Sequence, residues 1–189
     1  MVSLRSICVW SAAVIVATLF LATSFRRGWT QVETDFPNYY TAAVLARHRD
    51  PLPRYYDWTW FQRQMNYTGT ERQLGGYIPQ TPLTMLPLVP LSGLAPQHAK
   101  QIWLTLNLIF LGICTVLSAR LARMSAGIVL LIAFAGYASL ATNFVLGQYY
   151  VFVLLFLTLG IWSLIRGRVF AGGFCLGVIC MLKDRKSVV

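Results

Sequence analysis

The sequence predicts an all-α fold, a multi-pass transmembrane helical bundle with one long external loop that carries short interfacial helices. Three observations lead there. Of the 189 residues, 57% are hydrophobic and only 12% are charged, against about a quarter charged in a soluble domain. No Asp, Glu, Lys, Arg or His occurs from Met124 to Ile165, a stretch long enough for two crossings at roughly 20 residues each. Five of the six acidic residues, Glu33, Asp35, Asp50, Asp57 and Glu71, fall in one polar region, 26–81. The whole chain, 1–189, reads as a single integral membrane domain.

The first element is the apolar segment 7–25. It holds 19 uncharged residues between Arg5 and the sequence FRRGW. A cleaved signal peptide has a shorter apolar core and a small-x-small site after it, so an uncleaved transmembrane helix is expected. The external loop 26–81 follows, thick with Tyr and Trp. Within it Phe36, Tyr40, Ala43 and Arg47 recur at helical spacing. Thr34 or Asp35 serves as the helix start, and Pro37 is tolerated in a first turn. The tract YYDWTWFQRQM, Tyr55 to Met65, predicts a second short helix with its rings at headgroup level. Asn66-Tyr67-Thr68 matches a glycosylation sequon, a pattern common by chance. Prolines interrupt the apolar run that follows, so 82–96 is expected as a proline-broken or re-entrant segment, since no ordinary long helix survives that pattern.

The remaining apolar segments, 101–119, 125–142, 149–165 and 168–182, are expected as transmembrane helices, with a polar break from Asn143 to Gln148. Gly173 and Gly177 form a GxxxG pattern that predicts close helix packing. Arg120 and Arg123 cap one connection and Arg166 and Arg168 another two spans later, so they share a face, which the positive-inside tendency makes cytoplasmic. The loop and the Gly147-Gln148 break then face outward together, provided that 82–96 does not cross. The tail KDRKSVV ends abruptly after a short apolar segment, and a truncated chain is expected.

The net charge of +10 raises nucleic-acid binding. The basic residues instead flank apolar segments, and no basic helix or RNA-type aromatic motif accompanies them. Cys8, Cys114, Cys175 and Cys180 lie in apolar segments without CxxC spacing, so neither a disulfide framework nor a metal site is expected. Read alone, Asp35 is a helix N-cap worth about 1 kcal/mol. Tyr39 and Tyr40 are interfacial anchors, and Asp57 ends a helix or pairs with Arg54. Gln148 is a polar residue at a helix start, whose amide is also suited to a sugar hydroxyl or a phosphate. Arg26, Arg27, Arg54 and Lys183 snorkel to the interface.

A longer pattern runs through these pieces. DFxxYYxAA (Asp35, Phe36, Tyr39, Tyr40, Ala42, Ala43) is followed by DPLPRYYD (Asp50 to Asp57). Next come Tyr77 with Pro79 and Pro82, then IWLTLNL, then Gly147-Gln148 before a Leu-rich span. An RGR turn and AGGFCLGVICMLK (Ala171 to Lys183) close the series. In order and spacing the chain resembles the N-terminal half of glycosyltransferase family 87. That family comprises multi-pass membrane enzymes of GT-C type, among them polyprenol-phosphate-dependent mannosyltransferases. Two features depart from the family pattern: Gln80 and Thr81 separate Pro79 from Pro82, and Asp184 rather than proline follows Lys183.

The resemblance implies a membrane hexosyltransferase. The donor would be a polyprenyl-phosphate-linked sugar, with mannose a candidate, and the acceptor a lipid or glycan at the external face of a bacterial plasma membrane. It implies Asp35 as general base, and Tyr39, Tyr40, Arg54, Asp57, Gln148 and Lys183 as substrate-binding residues. No cofactor is implied. A divalent ion carried by the donor phosphate and met by Asp35 stays open. The alternatives are a transporter subunit and an inactive truncated fragment. Transporters usually place ionisable groups inside their spans, and here only Lys100, at a span's end, departs from charge-free helices.

Overall fold

The computed structural model describes residues 4–32, 35–70, 74–77 and 80–182, and every regular element among them is helical. The first apolar run forms one continuous helix, α1 (Leu4–Thr30). Arg26 and Arg27, expected at the start of the loop, occupy its final turns. Helix propagation needs no apolar residue, so the helix outlasts the hydrophobic run. Residues Leu21–Phe25 are wound as a π segment. There Thr23 and Ser24 meet the Tyr137 hydroxyl at 2.9 and 3.0 Å, a local rewinding often found where a helix must present particular side chains.

The loop forms both expected helices, α2 (Phe36–His48) and α3 (Trp58–Tyr67), joined through a 3₁₀ turn at Leu52–Tyr56. A 3₁₀ stretch over Pro82–Leu91 contains Pro87 and Pro90, which cannot donate to an α-helical ladder. At about 2.0 Å per residue it extends about 20 Å, short of the roughly 30 Å hydrocarbon core of a bilayer. It packs against α2 and the start of α4 (Pro96–Ala122).

After α4 the expected 125–142 span divides into α5 (Ala126–Ala135) and α6 (Tyr137–Leu146), bent by 79° at Gly136. Of the expected polar break 143–148, Asn143 to Leu146 form the last turn of α6, while Gly147 and Gln148 lie between it and the next helix. The chain then forms α7 (Tyr150–Ile165) and α8 (Val169–Leu182), of 16 and 14 residues, shorter than the usual 20 or so for one crossing. Two helices, α1 and α4, are long and apolar enough to cross a membrane, and the bent α5–α6 pair is a third candidate. These are the features of a helical membrane protein.

Helix α7 packs on α4 and α8, while α1 packs on α5. The close α7–α8 approach does not run through the GxxxG pair. A Cβ at Gly173 or Gly177 would meet nothing within 4 Å, whereas one at Gly172 would fall 2.6 Å from Leu164 and one at Gly160 3.4 Å from Cys175. The spacing was right for a helix interface, but helix rotation puts the neighbouring glycine there.

One end of the bundle gathers the ends of several helices. Gln97 and Gln101 donate to Trp29 O, joining the end of α1 to the start of α4. Thr81 Oγ1 donates to Met181 O at 2.9 Å and Tyr149 Oη to Leu182 O at 3.3 Å, which brings the end of α8 there too. From this end α4, at 1.5 Å per residue, carries the chain about 40 Å to Arg120 and Arg123.

Candidate functional site at the junction of the loop and the bundle

Asp35 stands immediately before α2, as expected of an N-cap, yet it makes no capping hydrogen bond. The backbone explains why. A capping residue takes extended φ/ψ so that its side chain folds back onto the first free N–H groups. Asp57 and Ser125 do so, with ψ of 105° and 143°, and accept from Trp60 N and Ile128 N. Asp35 is already helical, at φ −72° and ψ −27°. Its carboxylate reaches instead across 113 residues of sequence: Gln148 Nε2 donates to Asp35 Oδ2 at 2.6 Å. Both side chains are half-buried, so the pair is supported by protein and still open to solvent.

Gln148 owes its place to the way α6 ends. Gly147 is left-handed, with φ 68°, and the N–H groups of both Gly147 and Gln148 donate to Asn143 O, a glycine-terminated helix cap. The Asn143 side chain starts the next helix, accepting from Tyr150 N at 3.1 Å. Trp103 Nε1 donates to Gly147 O at 3.1 Å and ties the turn to α4. Only glycine fits there: besides the positive φ, a Cβ would lie 2.9 Å from Phe36 Cβ and 3.2 Å from Lys100 Cε.

Among the described residues, none of the other expected site residues is shown bonding to Asp35. Tyr39 and Tyr40, expected at the interface or on a sugar, are both buried. Tyr39 packs edge-on against Tyr149 at 5.3 Å, directly beside Gln148. Tyr40 Oη donates to Leu94 O at 2.6 Å, and burial raises its phenol pKa. Tyr40 reaches the residues that follow the 3₁₀ stretch and Tyr39 the residue before α7, so both form core where a membrane surface was expected. Asp57 caps α3 through Trp60 N at 3.1 Å, and the Arg54 guanidinium stands 5.8 Å over the Trp60 ring. Neither bonds to Asp35 among the described residues. Lys183 lies outside the described residues, as does Pro79 of the proline motif.

Sequence reasoning passed over Lys100. It is fully buried, and its Nζ donates to Gln31 O at 2.6 Å and Val145 O at 2.9 Å. The signal was present: a lone ionisable residue in the first turns of an apolar span is a functional candidate by default. Position at the span's end made it read as a flank.

No curated protein and no solved structure matches the chain. The sequence model of glycosyltransferase family 87 matches residues 79–184, more than half of the chain. The match takes in Lys100, the Gly147 turn, Gln148 and Lys183, while Asp35 and the loop helices precede it. On the strength of that match, the chain belongs to glycosyltransferase family 87.

Proposed function

We propose that this membrane protein transfers a hexose, with mannose the first to test, from a polyprenyl-phosphate sugar to a lipid or glycan acceptor at the outer face of the membrane, with Asp35 as general base. An acceptor hydroxyl is a poor nucleophile at neutral pH, and a positioned base must take its proton as the glycosidic bond forms. In the proposed step the acceptor oxygen attacks the anomeric carbon, Asp35 receives the hydroxyl proton, and the bond from that carbon to the phosphate oxygen breaks. The lipid phosphate leaves with the electron pair. One displacement inverts the anomeric centre, so a single carboxylate suffices.

The observation that carries this reading is the bond from Gln148 Nε2 to Asp35 Oδ2. A carboxylate used as a cap would have its lone pairs committed to α2. Here Gln148 holds one oxygen, and Oδ1 makes no hydrogen bond among the described residues. A charge-assisted bond of this kind fixes the carboxylate's orientation, as a base needs before a substrate arrives. Gln148 is then a positioning group whose amide also borders the substrate. Location agrees: both substrates are lipid-borne or meet at the membrane, and the pair sits where α1 ends and α4 begins.

The test incubates membranes carrying the full-length protein with radiolabelled polyprenyl-phosphate mannose. Label is expected to move to a second lipid or a glycan, and Asp35→Asn is expected to stop it without reducing the amount of protein in the membrane. Undiminished transfer by that variant removes Asp35 from the mechanism.

A further inference from the structure

Lys100 sits at a meeting of two helix ends. Gln31 O belongs to the residue that closes α1, and Val145 O to the last turn of α6. Both carbonyls accept from the same ammonium, at 2.6 and 2.9 Å. Each lies at a helix C-terminus, where unsatisfied carbonyls and the helix dipole present partial negative charge. The lysine stem is just as constrained. Its Cε borders the position a Gly147 Cβ would occupy, and Phe36 Cβ borders the same point from the other side. Phe36 directly follows Asp35, and Gly147 directly precedes Gln148.

A fully buried ammonium is expensive to desolvate, and an apolar side chain of the same length would fill the space without that penalty. A lysine kept here needs a reason other than volume. Its bonds supply one. They join the segment leading into Asp35 to the segment leading into Gln148, which sequence separates by 113 residues, and they anchor both to the first turns of α4.

We propose that Lys100 is the positioning residue of the site, an ammonium clamp that holds the ends of α1 and α6 in the register at which Asp35 and Gln148 meet. As a catalytic device this rests on the proposed function, but the clamp itself is testable without turnover. The protein, with its four native cysteines replaced, is labelled with nitroxides at positions 35 and 148 and reconstituted in lipid nanodiscs. The wild-type lysine background is expected to give one short inter-label distance with strong dipolar broadening. Lys100→Met is expected to lose at least half of that broadening. Unchanged broadening in Lys100→Met overturns the clamp.

Should the Met variant fail to accumulate in membranes, Lys100→Gln, which keeps one donor, is measured in the same way. If neither accumulates, Lys100 supports the whole fold and the positioning role is overturned. In the native-cysteine protein, Lys100→Met is expected to lower kcat at least tenfold with KM changed less than threefold; equal losses in both would also count against it. If Asp35→Asn transfers sugar normally while Lys100→Met still scatters the labels, the clamp stands and the catalytic reading falls.

Discussion

The loop module and the helices of the bundle are built by opposite rules. In the module, several large rings turn inward, although Trp58 and Tyr67 stay exposed. Tyr77 is fully buried, with Tyr55, Tyr56 and Phe61 around it at ring-centroid distances of 5.9, 5.8 and 5.7 Å. In α1 the large apolar side chains turn outward: Ile7, Val14, Ile15 and Leu19 are all more than half exposed. What the bundle buries is often polar, including Asn107, Asn143, Thr158 and Lys100. A water-facing module is stabilised by removing apolar area from solvent. Helices in lipid gain nothing from that, and they associate through packing and internal polar contacts. The candidate site lies on the seam, with Asp35 from the module and Gln148 from the bundle.

The contrast can be broken at several points. The largest effect is expected at the seam: Asp35→Asn should lower sugar transfer by about 10²- to 10⁴-fold, the usual contribution of a general base, with membrane insertion unchanged by fractionation. Within the module, Phe61→Ala removes a fully buried ring and should destabilise by about 3–5 kcal/mol in a denaturant titration of the detergent-solubilised protein. At the seam's hinge, Gly147→Ala forces a Cβ onto Phe36 at φ 68° and should destabilise by about 1–3 kcal/mol. The same variant should reduce transfer, because the turn that carries Gln148 has to move.

Alkaline titration probes the module's interior without mutation. Burial, with the nearby Asp50 charge adding to it, pushes the Tyr55 phenol up to about 12, and burial raises Tyr77 as well. The folded state therefore holds these protons more tightly than the unfolded chain does. Their contribution is complete below the ordinary tyrosine value near 10 and is lost as pH rises from there through about 12. The part of the phenolate absorbance that Tyr55→Phe and Tyr77→Phe remove should appear late and together with loss of the module's tertiary signal. If Tyr55→Phe or Tyr77→Phe removes absorbance that rises near pH 10 with the fold intact, the module is open. The smallest effect is expected on the lipid side: Ile15→Ala, on the outward face of α1, should shift stability by no more than about 0.5 kcal/mol. A loss close to that of Phe61→Ala would mean that this face is covered by protein.

Parts of the site were legible in the sequence for reasons that can be named. Asp35 stood out as a carboxylate beside an apolar run in a chain with few acids, and Gln148 as an amide where a span begins. Their partnership was not legible, because nothing local distinguishes an aspartate that caps from one whose backbone is already helical. The burial of Tyr39 and Tyr40 was not legible, since aromatic residues next to a span are usual at membrane interfaces and the partners that cover these two, Tyr149 and Leu94, are distant in sequence. The glycines at 173 and 177 misled: a period marks a helix face but not which face meets a neighbour.

The sequence by itself determined the membrane class and the helical content, though not the break at Gly136. Hydropathy, proline placement and helical spacing act over a few residues and can be read there. Tertiary structure alone decided that Asp35 leaves its helix uncapped and meets Gln148, that Lys100 ties together two helix ends, and which rings are interior. Each of those outcomes is a contact between segments far apart along the chain, and its geometry is set by helix rotation and by the turn at Gly147 rather than by any local preference.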